Sequence, residues 1–167
     1  MPEENSDKAS TYARLMNMLE DHGIRYQVID HPAEGRTSLA SAMRGHPLSQ
    51  AAKCMVVEVR VERYALCVVP GDANVDFDAV CRLYGGTRAR LAPQETAERL
   101  TYCERGTIVP FSFRPDELDL IADPSLFGQE QLYFNAARLD RSIGICPDDL
   151  LRTAKPRLAR VAEHKKP

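Results

Sequence analysis

A chain of 167 residues, 44% hydrophobic and 28% charged, has the length and composition of one globular domain with a sizeable core. Its 22 basic and 24 acidic side chains leave a formal charge of −2, which argues against a bulk nucleic-acid coat and leaves room for a local basic patch. No apolar run nears the roughly 18 residues of a membrane span, and the polar start "MPEENSDKAS" is no signal peptide. The five cysteines form no C-x-x-C pair and read as reduced thiols of a cytosolic protein.

Residues 1–9 read as a loose polar arm. Ser10 suits the cap of a helix whose apolar face is Tyr12, Leu15, Met16 and Leu19, and Gly23 stops it. "IRYQVID" alternates as a short strand ending at His31-Pro32. "TSLASAMRG" is a short helix closed by Gly45. Two β-branched runs, about 52–61 and 64–69, flank the polar pair Glu62-Arg63 and predict a β-hairpin that Pro70-Gly71 ends. "VDFDAVCRLYGG" is a helix capped by Asp76. "APQETAERL" is another, with Pro93 at a first-turn position. "ERGTIVPF" is a loop, and "ELDLIAD", "QLYFNA" and "RSIGIC" are three short strands. "PDDLLRTA" is a helix whose proline and aspartates suit its positive end, and Pro156 interrupts it. Mixed connections without a repeat or boundary predict a single α+β domain over residues 1–167, with a mixed sheet partly wrapped by helices.

Lys53 stands out because it opens the first run of the hairpin, just before Met55, Val56, Val57 and Val59. Lysine is rarely buried without a partner, so it either snorkels at the strand end or points into a site that needs a cation. The loop "ERGTIVPF" joins a glycine, which lets backbone approach a ligand, to a stiffening proline. Its successive N–H groups could grip a carbonyl or an anion, or it is a plain connection. The four histidines share no metal-ligand spacing, so no metal and no cofactor is expected. There is no G-x-S-x-G elbow, P-loop or G-x-G-x-x-G. A Cys-His pair such as Cys103 with His31 could assemble only in space. From Leu151 onward six basic side chains face Glu163 alone, so the tail 156–167 is either a phosphate-contacting segment or a solvated terminus.

In order, the segments "YQVIDHP", "AAKCMVVEV", "YALCVVPGDANVDFDAV", "GTIVPF" and "LYFNAARLDRSIGICPDDLL" resemble the YbaK / prolyl-tRNA-synthetase-associated editing-domain family over about residues 20–155. The resemblance implies a mixed, strongly curved sheet, a half-open barrel, surrounded by helices. It places Lys53 as the family's pocket lysine. Gly106, Thr107, Ile108, Val109 and Pro110 match its G-x-x-x-P loop, whose amides hold the aminoacyl end. Asn135 and Ala136 fall where a small pair often stands. His31, in the first segment, joins Val109, Pro110, Asn135 and Ala136 as expected substrate-binding residues; Lys53, Gly106, Thr107 and Ile108 are the expected catalytic set. The loop departs from the family in lacking a double glycine, and "FNAARLD" lacks a glycine after the alanine.

The activity so implied is a free-standing deacylase that hydrolyses the ester of tRNA mischarged with a small amino acid, alanine, serine or threonine, on tRNA(Pro) first of all. Its partners would be the acceptor end of that tRNA and, as a candidate, prolyl-tRNA synthetase, with no membrane and no DNA. Two other readings stand beside it: a non-catalytic tRNA-, synthetase- or ligand-binding module of the same fold, and a cysteine-dependent acyl hydrolase.

Overall fold

The computed structural model describes the backbone of residues 2–86 and 88–164, with side chains from Thr11 onward. In chain order its elements are α1 (Pro2–Asp21), β1 (Tyr26–Asp30), α2 (Thr37–Arg44), β2 (Ala52–Arg60), β3 (Arg63–Pro70), β4 (Ala73–Val75) and α3 (Phe77–Leu83). There follow β5 (Arg90–Leu91), α4 (Gln94–Thr101), β6 (Leu118–Ala122), β7 (Leu132–Asn135), β8 (Arg141–Ile145), α5 (Pro147–Ala154), β9 (Arg157–Leu158) and β10 (Ala162–His164). No helix among the described residues is long and apolar enough to cross a membrane.

The mixed α+β architecture expected from the sequence is the one the chain adopts. Five strands run in the order β5-β2-β3-β6-β9, with β2 and β3 antiparallel and β3, β6 and β9 parallel. Three more form the antiparallel sheet β1-β8-β7, and β4 pairs with β10. A lone parallel bridge from Ala51 to Tyr133 joins the start of β2 to β7, so the curved surface does not close into a barrel.

The hairpin is buried on both faces, which is why its sequence is apolar almost without a break. Val57, Val59, Ala65, Cys67 and Val69 face one core cluster, with Val75, Val80, Ile121 and Val161. Val56 and Leu66 face the other way, against Leu100 and Leu118. The largest cluster gathers Leu15 and Leu19 of α1 with Phe134, Ile143, Ile145 and Leu150. The turn is Val61-Glu62, with Glu62 in the left-handed region at φ 59°.

Both ends differ from the sequence reading. The helix expected to start at Ser10 begins at Pro2, so the backbone of 2–9 is helical rather than a loose arm. Proline fits the first helical position, where no intrahelical N–H bond is lost. The described part of the tail is tied down. Val161 is wholly buried, β9 lies beside β6, and the Asp123 carboxylate accepts the N–H groups of Val161 and Ala162 at 2.9 and 2.8 Å. Lys165 and Lys166 lie outside the described residues.

Candidate active site

The sheets diverge beside the Ala51–Tyr133 bridge, and a cavity of about 590 Å³ opens there. Its walls come from the segment 35–37, α2, the first half of β2, α4, the loop after α4 and the end of β7. That volume falls in the range that takes a small ligand.

Gly106 sets the loop's path. Its φ is +86°, and a Cβ there would come within 2.6 Å of the Gly35 Cα, so two backbones pack directly on each other. The Asn135 side chain fastens this contact. Its Nδ2 donates to the carbonyls of Glu34 and Gly106, both at 2.8 Å, while its Oδ1 accepts from the Ser142 hydroxyl (2.9 Å) and from Arg44 Nη1 (3.3 Å). All four of its hydrogen-bonding positions are engaged inside the protein.

The loop's N–H groups then divide by position. Thr107 gives both its N–H (3.0 Å) and its hydroxyl (2.8 Å) to the Glu104 carbonyl, and the Val109 N–H meets the Cys103 sulfur. The N–H groups of Gly106 and Ile108 have no partner among the described residues, and both residues line the cavity. Alternate amides of one turn are therefore left available, in residues that line the cavity.

Lys53 is half-buried at the start of β2, lines the cavity, and donates from Nζ to the Ala73 carbonyl. Of the sequence-chosen residues, the fold brings Lys53, Gly106, Ile108 and Asn135 together around the cavity. Thr107, Val109, Pro110 and Ala136 are buried behind it. His31 also stands outside the lining, with Nε2 2.7 Å from the Ser142 hydroxyl and Nδ1 2.9 Å from the Pro32 carbonyl.

Sequence reasoning missed Arg44. It is the last residue of α2 and lies in the cavity wall. Its Nε donates to His46 Nε2 (2.9 Å), its Nη1 to Ser142 Oγ (3.1 Å) and Asn135 Oδ1, and its Nη2 to Ser41 Oγ (3.4 Å). Burial pushes its pKa down to about 10. The His46 ring stacks on Tyr133, centroids 4.1 Å apart, and burial also lowers its pKa. No local pattern marks Arg44, because its partners Asn135 and Ser142 lie 91 and 98 residues away.

Among the described residues, the cavity lining includes Arg36, Arg44, Lys53 and Arg105 and one carboxylate-bearing residue, Glu98. This positive lining sits on a chain of net negative charge, so it marks a site for an anionic or electron-rich ligand. The cavity thiol, Cys54, is pushed far above the usual cysteine range by burial and by Cys103 beside it, so it is a neutral thiol and no nucleophile at pH 7. Among the described residues no group of three His, Cys, Asp or Glu side chains could hold a metal ion.

A family model for the aminoacyl-tRNA editing domain matches residues 31–153. The multifunctional Ser/Thr-tRNA deacylase ProXp-y of Escherichia coli (strain K12) is 38% identical over an alignment of 152 residues that covers 89% of this chain and 90% of that protein. Among solved structures, a candidate trans-editing enzyme for prolyl tRNA synthetase superposes with a TM-score of 0.79 at 25% identity, covering 92% of this chain and 97% of the other. The hypothetical protein APE2540 shares the fold, with a TM-score of 0.81 at 21% identity over 89% of this chain and 99% of its own.

Proposed function

The chain belongs to the aminoacyl-tRNA editing domain family, and on that premise we propose that it is a trans-editing deacylase. It hydrolyses the ester that joins a small wrong amino acid, serine, threonine or alanine, to the terminal ribose of a tRNA. tRNA(Pro) is the first adaptor to test, and prolyl-tRNA synthetase the candidate partner. One observation carries the reading: Gly106 and Ile108, whose N–H groups have no partner among the described residues, line a cavity with basic residues in its wall that is large enough for an aminoacylated sugar. The close match to a Ser/Thr-tRNA deacylase over nine-tenths of its length supports the amino-acid class.

The reaction follows from those donors. Water adds to the ester carbonyl carbon, and its oxygen becomes a tetrahedral oxyanion held by the N–H groups of Gly106 and Ile108. A preorganised donor of this kind contributes ~3–4 kcal/mol. The carbon–oxygen bond to the ribose then breaks, the ribose oxygen takes a proton, and a free amino acid leaves. Lys53, whose ammonium the Ala73 carbonyl receives, adds positive charge to the wall of the site. Cys54 is protonated, and the His46 Nε2 lone pair already accepts from Arg44. The resemblance to the family implies that the neighbouring ribose hydroxyl of the substrate takes the proton of the attacking water and hands its own to the leaving ribose oxygen, so that the protein acts chiefly by positioning.

The test is a deacylation panel: tRNA(Pro) and other tRNAs charged with alanine, serine, threonine and the cognate residue, with wild type and Lys53→Ala. Wild type is expected to clear at least one small-residue ester, and Lys53→Ala to lose about 100-fold in kcat/KM. Binding of every charged tRNA without turnover would replace this reading with a non-catalytic module.

A further inference from the structure

Arg44 is a guanidinium in the wall of the cavity whose partners are all neutral: His46, Asn135, Ser142 and Ser41. Among the described residues it pairs with no carboxylate. Arg36 in the same wall is already tied to Glu34 at 3.0 Å. A guanidinium carries five N–H donors, and the four hydrogen bonds leave at least one on Nη2, the nitrogen with the longest bond. A half-buried cation whose partners are all neutral is costly unless an anion completes it.

The charges of the substrate class decide which anion. The aminoacyl end of a tRNA carries one fixed positive group, the α-ammonium, and one fixed negative group, the phosphodiester before the terminal adenosine. The ester lies between them. In the cavity, Glu98 and Arg44 reach the Gly106 loop through different partners. Glu98 Oε1 accepts the Arg105 N–H at 3.4 Å, and Arg44 bonds Asn135, which holds the Gly106 carbonyl. With the ester carbonyl on the loop amides, the ammonium is drawn to Glu98, the one carboxylate-bearing residue among the described lining residues, and repelled by the guanidinium.

We propose that Arg44 is a phosphate-binding residue, which takes the terminal phosphodiester of the acceptor end and so fixes the direction in which the ester enters. Asn135 is then a positioning residue, which holds both the guanidinium and the amide-bearing loop. This rests on the deacylase reading for the identity of the ligand, while the phosphate site itself is measurable without catalysis.

The experiment compares binding of adenosine 5′-monophosphate and adenosine to the full chain by calorimetry. Wild type is expected to prefer the nucleotide by about tenfold, the scale of one charge-assisted hydrogen bond. Arg44→Gln should bring the two within about twofold and leave adenosine affinity in place. In ¹⁵N-labelled wild type, the Arg44 Nε–H signal should shift with the nucleotide and not with adenosine, which keeps the test open if the variant does not fold. Equal affinities in wild type, a preference kept by Arg44→Gln, or an unmoved Arg44 signal would overturn the proposal. A nucleotide preference that depends on Arg44, in a protein that clears no ester, would uphold the phosphate site and remove the deacylase.

Discussion

Replacing Asp123 by asparagine should cost about 2–4 kcal/mol of folding stability, a large part of the roughly 5–15 kcal/mol a domain of this kind possesses. Asp123 follows β6 and is only 5% exposed. One carboxylate oxygen accepts from the Ser125 N–H at 3.0 Å and the Ser125 hydroxyl at 2.6 Å. The other accepts from the N–H groups of Val161 and Ala162. Asparagine has the same shape but only one acceptor. With its NH₂ toward the tail, two buried backbone donors are left facing a donor, at about 1–3 kcal/mol each. With its NH₂ toward Ser125, the hydroxyl can reverse and only one donor is stranded, which gives the lower figure. Acid supplies a second check. Burial alone would raise the carboxyl pKa, but the bonds from Ser125, Ala162 and Val161 outweigh it and hold the group below its usual range. A folded pKa below the unfolded value, about 3.9, means that the contribution is complete above that value and is lost as pH falls through the folded one. Urea unfolding of both proteins should show the full difference at pH 7 and a narrowing gap from about pH 4 downward. A difference under about 0.5 kcal/mol at pH 7, or one that widens in acid, would refute the reasoning.

Gly106→Ala places a Cβ 2.6 Å from the Gly35 Cα at φ +86°, where neither backbone can yield. It should lower stability by about 2–3 kcal/mol and deacylation with it, while Gly128→Ala, which meets nothing within 4 Å, should melt within a few degrees of wild type. Cys54→Ala should keep deacylation within about threefold of wild type, because the protonated thiol gives no nucleophile. A loss of 100-fold or more would restore the cysteine hydrolase reading.

The central hairpin was legible because both its faces are buried, so β-branched residues run through it without needing a partner elsewhere to explain them. The helices of Asp76 and Gly45 were legible for a local reason too. Asp76 accepts the Ala79 N–H at 3.0 Å, and Gly45 closes α2 at φ +79°. The strands β4, β5, β9 and β10 are two or three residues long, too short to show a period, and they exist because a distant strand supplies the other half of each ladder. The tail looked like a solvated end because its charges are local and its anchor is not: Asp123 lies 38 residues before Val161. Truncation after Ala154 would therefore remove buried Val161 together with the basic residues, and a loss of tRNA binding in that variant would not report on charge.

The candidate site divides along the same line. A loop of glycine and proline announces that amides could be offered, but which ones face outward depends on what takes the others. Here the Glu104 carbonyl and the Cys103 sulfur withdraw Thr107 and Val109, and leave Gly106 and Ile108. Lys53 drew notice because one charge interrupts an apolar alternation. It shares a face of β2 with Met55, Val57 and Val59, and at the end of that row the Ala73 carbonyl receives its ammonium. Arg44 interrupts nothing: an arginine in the last turn of a helix is what the helix dipole favours on any surface. Only the fold, by setting Asn135 and Ser142 against that last turn, turns an ordinary helix end into a cation facing a cavity. A residue whose sequence position is already explained by local physics gives no sign of a second role, and that is why the cavity's least expected group is also the one with the most conventional address.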